Sequence, residues 1–381
     1  MRVLSQIALA AAVVLAASAG VAAGDDRFDR ADTALGTVLD RYSIPGAALA
    51  IARDGAVLHA RGFGYADVAA KTPVKPDSLF LIASVSKTLT AMAVLKLVEE
   101  HKLSLDDEAF SFVADLPQPA GTTRDPRLAA ITVRDLLDHA GGWDRSSHGE
   151  PASKIEEIHH VLGTTGDPTP QDVIRYVMTL PLDFAPGTCS AYSNFGYILA
   201  GEIVARVSHE PYERFVRENV LVPAGVTDAA ISHLPAALPG EVFRYGDGGA
   251  KLENGSALAT SAAGGWVLSA LDYVKILAAL HAGRILGDAS LDAMFAPPYP
   301  PLQARKNGTA FGLGWDTVGR NVQGRLYYAK NGVLPGIRTW VQHRAGGLDV
   351  ILFTNGNGSS NGDDEAGIKA GIAAVDAALD S

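Results

Sequence analysis

Ala47-Ala48-Leu49-Ala50-Ile51-Ala52-Arg53-Asp54-Gly55-Ala56-Val57-Leu58-His59-Ala60-Arg61-Gly62 contains two short apolar runs, Ala47 to Ala52 and Ala56 to Gly62, joined at Asp54-Gly55. Asp-Gly between two strand-like runs is a strong hairpin signal, because both central positions of the favoured turn need positive φ. Just before it, Asp29 to Arg41 reads as an amphipathic helix that stops ahead of Ser43-Ile44-Pro45-Gly46. At the far end, Arg325 to Ala329, Ile337 to Gln342 and Leu348 to Thr354 are strand-like, and Gly362 to Leu379 reads as an Ala-rich helix. Between these ends, residues from about 80 to 235 carry helical patterns broken by Pro and Gly. Hairpin connections favour antiparallel pairing over crossovers. The expectation is an α+β fold: an antiparallel sheet flanked by helices, plus an inserted, mostly helical lobe, with the active site between them. The sheet lobe would take about 24–80 and 240–381, the helical lobe about 81–239.

Composition supports this and excludes alternatives. The chain has 381 residues, 48% of them hydrophobic and 19% charged, and 42 acids against 32 Lys plus Arg give a net charge of -10. A nucleic-acid binder needs a clustered basic excess, which is the opposite balance. The apolar content and the aperiodic spread of 40 glycines exclude disordered and collagen-like chains. One cysteine forms no internal disulfide, so the core must hold without staples.

The first 23 residues stand apart. Met1-Arg2 is a minimal positive start, Val3 to Ala17 is apolar apart from Ser5 and Gln6, and Val21-Ala22-Ala23 places small residues at a cleavage site. The expectation is a signal peptide cleaved after Ala23 and a periplasmic or secreted protein; the alternative is a retained anchor, since roughly 17 to 20 apolar residues just span a bilayer. Cleavage would leave 358 residues with a charge of -11. That length exceeds the roughly 250 to 300 residues at which single cores stop growing, so two lobes are expected.

Three short constellations carry candidate chemistry. In Ala83-Ser84-Val85-Ser86-Lys87-Thr88, the apolar residues Val85, Leu89, Met92 and Leu95 mark the first turn of a buried-face helix, with Ser84 and Lys87 as i and i+3 neighbours. A serine hydroxyl needs a base to become a nucleophile, and a lysine serves only if burial or a second cation lowers its free value of about 10.4. Tyr192-Ser193-Asn194 follows a Pro186-Gly187 turn and leads into a helix. Tyrosine acts as a base only if cations hold it as phenolate, and asparagine offers a donor and an acceptor to an amide. Lys330-Asn331-Gly332 follows a strand and supplies a second cation and a glycine that admits close backbone approach. Taken singly, these read as a helix cap with a solvated lysine, a helix start and an Asn-Gly turn.

Their order and spacing are jointly specific. With Gly64-Tyr65-Ala66-Asp67, Phe80-Leu81-Ile82-Ala83-Ser84-Val85-Ser86-Lys87, Leu136-Leu137-Asp138-His139-Ala140-Gly141-Gly142-Trp143 and Phe311-Gly312-Leu313-Gly314-Trp315, they run along nearly all of the chain. The sequence resembles the serine β-lactamase and penicillin-binding protein superfamily, in the branch that holds class C β-lactamases, DD-peptidases and related esterases. The resemblance implies that Ser84 is the acylated nucleophile and Lys87 its proton acceptor, or the charge that keeps Tyr192 anionic. It implies that Tyr192 moves the proton to the leaving group and then activates the deacylating water. Asn194 would hold the substrate amide, Lys330 would tune Tyr192 and attract a substrate carboxylate, and the N–H groups of Ser84 and Val333 would form the oxyanion hole. Asn331 and Gly332 complete the expected substrate-binding set. Tyr192 stands where class A enzymes have a serine, and no Glu-x-x-Leu-Asn segment occurs, so tyrosine-assisted deacylation is the consistent choice.

Two departures bear on substrate. Asn331 replaces the threonine usual in the family's third motif, which weakens the β-lactamase reading, and Trp143 to His160 is unlike the class C pattern and reads as a lip over the cleft. His139, His148, His159 and His160 with Glu156 and Glu157 lack metal-ligand spacing and read as a solvated loop, so no metal is expected. Cys189 reads as packing. No P-loop or Gly-x-Gly-x-x-Gly occurs, so no cofactor is expected. The expected function is an exported serine hydrolase acting through an acyl-enzyme at Ser84 on amide, β-lactam or ester bonds of a small molecule or peptide, with no nucleic acid and no membrane partner after signal cleavage. The alternatives are a carboxylesterase on short acyl esters and a non-catalytic penicillin-binding sensor. Two lysines around one serine would set a local field opposite to the global charge.

Overall fold

The computed structural model describes residues 25–232, 238–252, 258–296, 303–304, 311–359 and 363–381. The expected signal peptide lies outside them, as does the start of the expected C-terminal helix at Gly362. Among the described residues no helix is long and apolar enough to cross a membrane.

The hairpin forms where the sequence places it. Strand β1 (Gly46–Arg53) pairs antiparallel with β2 (Ala56–Asp67). Asp54 and Gly55 take φ of 51° and 79°, the doubly positive turn whose twist matches the strands. After β3 (Thr72–Pro73), the sheet is completed by four strands from the far end: β4 (Thr317–Arg320), β5 (Leu326–Leu334), β6 (Ile337–His343) and β7 (Leu348–Thr354). Among the described residues this is a seven-stranded, wholly antiparallel sheet in the order β3-β2-β1-β7-β6-β5-β4. The first and last long strands are thus central neighbours, with Leu49 opposite Leu352 and Ile51 opposite Val350.

Alternation sorts the two faces. Leu49, Ile51, Val350 and Leu352 point to the side covered by α1 (Asp26–Arg41) and α5 (Ala366–Asp380), where they meet Leu35, Leu39, Ile372 and Val375. Each such side chain contributes about 1.5–3 kcal/mol through burial. Asp25 caps α1 by accepting from the Arg27 N–H, and Asp26 and Asp29 complement its N-terminal dipole. Ala48, Ala50, Ile351 and Phe353 point to the opposite side, where the larger core joins α2 (Ser86–Glu99), α3 (Asn194–Ser208) and α4 (Ala270–His281). The observed architecture is therefore the expected α+β one.

One local reading changes. Lys330-Asn331-Gly332 lies inside β5 rather than at a strand end or an Asn-Gly turn. Burial alternates along it: Tyr328, Lys330 and Gly332 are buried, while Ala329, Asn331 and Val333 are partly exposed. The hairpin turn falls instead at Pro335-Gly336, where Gly336 has φ 74°. A proline at the first turn position and a positive-φ glycine at the second outcompete an Asn-Gly whose flanks are needed for the ladder.

Candidate active site

The site lies where α2, α3 and β5 converge. A single 3-10 turn, Ala83–Val85, leads into α2, with Ala83 at φ 48°, and leaves Ser84 partly exposed while Lys87, one turn on, is fully buried. Ser193 caps α3, accepting from the Gly196 N–H, and thereby fixes Tyr192 and Asn194 on either side of the helix start. The strand β5 closes the third side with Lys330 and Gly332.

These elements bring the expected residues together. Ser84 Oγ is 3.2 Å from Lys87 Nζ and 2.7 Å from the Tyr192 hydroxyl, which donates to it. Lys87 Nζ also lies 2.7 Å from Asn194 Oδ1 and 2.6 Å from the Ala263 carbonyl. Those two partners accept only, so a neutral amine spends its two hydrogens on them and keeps its lone pair for Ser84. Burial holds the Lys87 ammonium well below the ordinary value of 10.5, and the charge on Lys330 adds to this.

Of the two expected states of Tyr192, the surroundings disfavour the phenolate. Three basic side chains surround its ring, with Arg145 at 4.4 Å, the Lys87 nitrogen at 5.0 Å and Lys330 at 5.1 Å from the centroid. Burial nonetheless pushes the phenol up, and the carboxylate of Asp316 pushes the same way. Both effects favour the protonated phenol over a phenolate.

Lys330 also differs from expectation. Its side chain is sealed from solvent, and Nζ meets Asp316 Oδ1 at 2.5 Å, while Asp316 Oδ2 accepts from the Asn331 N–H at 3.1 Å. A cation already paired at that distance has little left for a substrate carboxylate. The Asn331 side chain faces away from Lys330 and donates to Glu365 Oε2 at 3.0 Å, so it grips no substrate in this arrangement. Asn194 spends its amide within the protein, accepting from Lys87 and donating to Glu150 Oε2 at 2.8 Å. Asp316 and Glu150 place two carboxylates against Lys330 and Arg145 around the site.

Gly332 has a reason in contact distance. A Cβ built there would come within 2.3 Å of Thr339 Oγ1, 2.6 Å of the Ile82 carbonyl and 3.0 Å of the Ser84 nitrogen. Only glycine lets β5 lie against the nucleophile's backbone, where the Ser84 and Val333 N–H groups are expected to meet an oxyanion. Gly332→Ala is expected to lower kcat/KM on a nitrophenyl ester by about 10²-fold, since displacing a reacting group by about 1 Å costs that much. Steady-state kinetics on protein with native circular dichroism checks it; near-normal turnover would contradict this close fit.

Sequence reading missed Asp316, Arg145 and Glu150. Asp316 directly follows Phe311-Gly312-Leu313-Gly314-Trp315, and Gly314, at φ 90°, seats that turn on α2, where a Cβ would come within 3.0 Å of the Thr88 Cα. Arg145 and Glu150 belong to the lip, which folds as short helices at Arg145–His148 and Ile155–Leu162. His139 is buried rather than solvated: its Nδ1 accepts from the Ser193 N–H at 3.2 Å and its ring lies 4.5 Å from that of Tyr192. Cys189 is half-buried, as packing would have it.

Residues 28–374 match the Beta-lactamase family. A putative penicillin-binding protein PbpX of Bacillus subtilis (strain 168) is 28% identical over 309 residues, covering 80% of this chain and 69% of the relative. D-amino acid amidase from Ochrobactrum anthropi SV3, solved with L-phenylalanine amide, aligns with a TM-score of 0.72 at 25% identity, covering 92% of this chain and 98% of that one. EstCE1, a hydrolase with promiscuous acyltransferase activity, has the same fold, with a TM-score of 0.72 at 22% identity, covering 92% of this chain and 99% of that one.

Proposed function

The chain belongs to the beta-lactamase family and is a serine hydrolase; from that premise we propose that it forms an acyl-enzyme at Ser84 and cleaves small amides and esters that carry no carboxylate. The observation that supports this most is the double contact of Ser84 Oγ, with Lys87 Nζ on one side and the Tyr192 hydroxyl on the other.

The steps follow from these two contacts once burial has left Lys87 as the neutral amine. Neutral Lys87 takes the Ser84 proton as Oγ attacks the carbonyl carbon. The negative charge that develops on the carbonyl oxygen is held by the N–H groups of Ser84 and Val333. As the tetrahedral centre collapses, Tyr192 gives its proton to the leaving nitrogen or oxygen and is refilled from the Lys87 ammonium. Water then attacks the acyl carbon while Tyr192 takes its proton and passes its own to Lys87; as the tetrahedral centre collapses the acyl–Oγ bond breaks and the Lys87 ammonium returns the proton to Oγ, giving the acid and free Ser84. Each proton removed is returned within one cycle.

The preference for substrates without a carboxylate rests on Asp316 and Asn331. Lys330 is neutralised by Asp316, and no hydroxyl stands at 331, so a carboxylate placed there would be desolvated against a pair already satisfied. The similar D-amino acid amidase is an amidase by name, and the carboxylesterase alternative draws on Asn331 and the divergent lip. A matched pair of nitrophenyl esters, one with a carboxylate on the acyl part and one without, tests the preference beside a chromogenic cephalosporin. The neutral ester is expected to be turned over at least about tenfold faster in kcat/KM, a difference of about 1.4 kcal/mol. Equal rates, or faster turnover of the cephalosporin, would contradict it.

A further inference from the structure

The same face of the sheet that carries Lys330 carries a second cluster one row along. Tyr328 on β5 is opposite His343 on β6, and His343 is opposite Asp349 on β7. The three side chains form a cross-strand row, and α4 lies over this face, ending at His281 beside it. The ring centroids of His281 and His343 are 4.8 Å apart, and the His343 ring stacks on that of Tyr328.

We propose that His281, His343 and Asp349 bind one divalent transition-metal ion of the Zn2+ class, apart from the acyl chemistry. One donor atom from each of the three lies within 4.8 Å of the others. A tetrahedral ion with bonds of about 2.0–2.2 Å asks for donor separations of about 3.3–3.6 Å. His343 Nδ1 and Asp349 Oδ1 now stand closer than that, at 2.7 Å, and the widest separation is greater. The ion would part the first pair and draw in His281, whose exposed position at the end of α4 opens the site to solvent.

Charge and donor chemistry point the same way. Asp349 is 1% exposed and its ion-pair partner is the imidazole of His343. A buried carboxylate with an imidazole nitrogen at 2.7 Å offers an oxygen donor and a nitrogen donor side by side. Asp54, at the β1–β2 turn, adds negative charge near His281. Two imidazoles and one carboxylate suit Zn2+ and its neighbours better than Mg2+ or Ca2+. The Tyr328 hydroxyl, 2.6 Å from His281 Nε2, orients that ring as outer-shell partners of metal-bound histidines do. No short-range motif announces the site, because its ligands come from positions 281, 343 and 349 on three elements.

The test is calorimetric titration of the purified, untagged, chelator-treated full chain with Zn2+. One equivalent is expected to bind in the micromolar range, and His281→Ala and His343→Ala are each expected to weaken binding at least about tenfold. Zn2+ should raise the unfolding temperature of the wild-type chain and leave that of His281→Ala unmoved. His343 is largely enclosed and its variant is open to misfolding; His281 is exposed, so its variant decides alone, with unchanged ester turnover as the sign of an intact fold. Absence of saturable binding, or one-equivalent binding that survives His281→Ala undiminished, overturns the proposal.

Discussion

Lys87→Met is expected to lower kcat on a nitrophenyl ester by about 10³-fold, within the span that general-base catalysis contributes. Methionine keeps the length and apolar stem of the lysine in a fully buried position and removes only the nitrogen that faces Ser84. The change also strips a donor from Asn194 Oδ1 and from the Ala263 carbonyl, at about 1–3 kcal/mol of stability for each acceptor left alone. Thermal unfolding therefore accompanies the kinetics, and the rate is measured well below the variant's transition.

The pH profile separates a base from a structural lysine. Lys87 works as a neutral amine, so activity rises with pH as the ammonium gives up its proton. Because burial and the Lys330 charge lower its value well below 10.5, the rise in kcat/KM is expected to level off well under pH 10.5. Lys87→Met should lose that limb along with the rate. A wild-type profile still climbing through pH 10.5 would place an ordinary, solvated lysine at this position.

Tyr192→Phe is expected to cost about 10²–10⁴-fold in kcat, with the larger share in deacylation. The ring keeps its place against His139 and Arg145, so geometry survives and only the proton path is cut. An initial burst of nitrophenol followed by a slow steady state is the expected signature, because acylation of a good-leaving-group ester needs little help from an acid while hydrolysis of the acyl-enzyme needs the relay. A uniform fall in both phases would assign Tyr192 to positioning alone.

Much of this was legible in the chain before folding. Asp54-Gly55 announced the hairpin, and the outer strands and closing helix fell near their expected places, because local alternation and turn chemistry act over a few residues. Ser84, Lys87, Tyr192 and Lys330 stood out by type and spacing. Their electrostatic state was not legible, since Asp316, Glu150 and Arg145 reach them only through tertiary closure. The choice proposed between the two expected roles of Lys87, as base rather than as the charge that keeps Tyr192 anionic, rests on burial and on a carboxylate beside Lys330. Lys330-Asn331-Gly332 was ambiguous for a different reason: an Asn-Gly pair favours a turn locally, whereas the ladder with β6 and the close approach to Ser84 require an extended strand.

The central claim is a covalent acyl group on Ser84. Mass spectrometry of protein quenched during turnover of a nitrophenyl ester, followed by peptide mapping, tests it most directly. The expected result is one added acyl group on the peptide holding Ser84, more abundant in Tyr192→Phe and absent from Ser84→Ala, which should also lose turnover. An acyl group on another residue, or undiminished turnover by Ser84→Ala, would contradict the account.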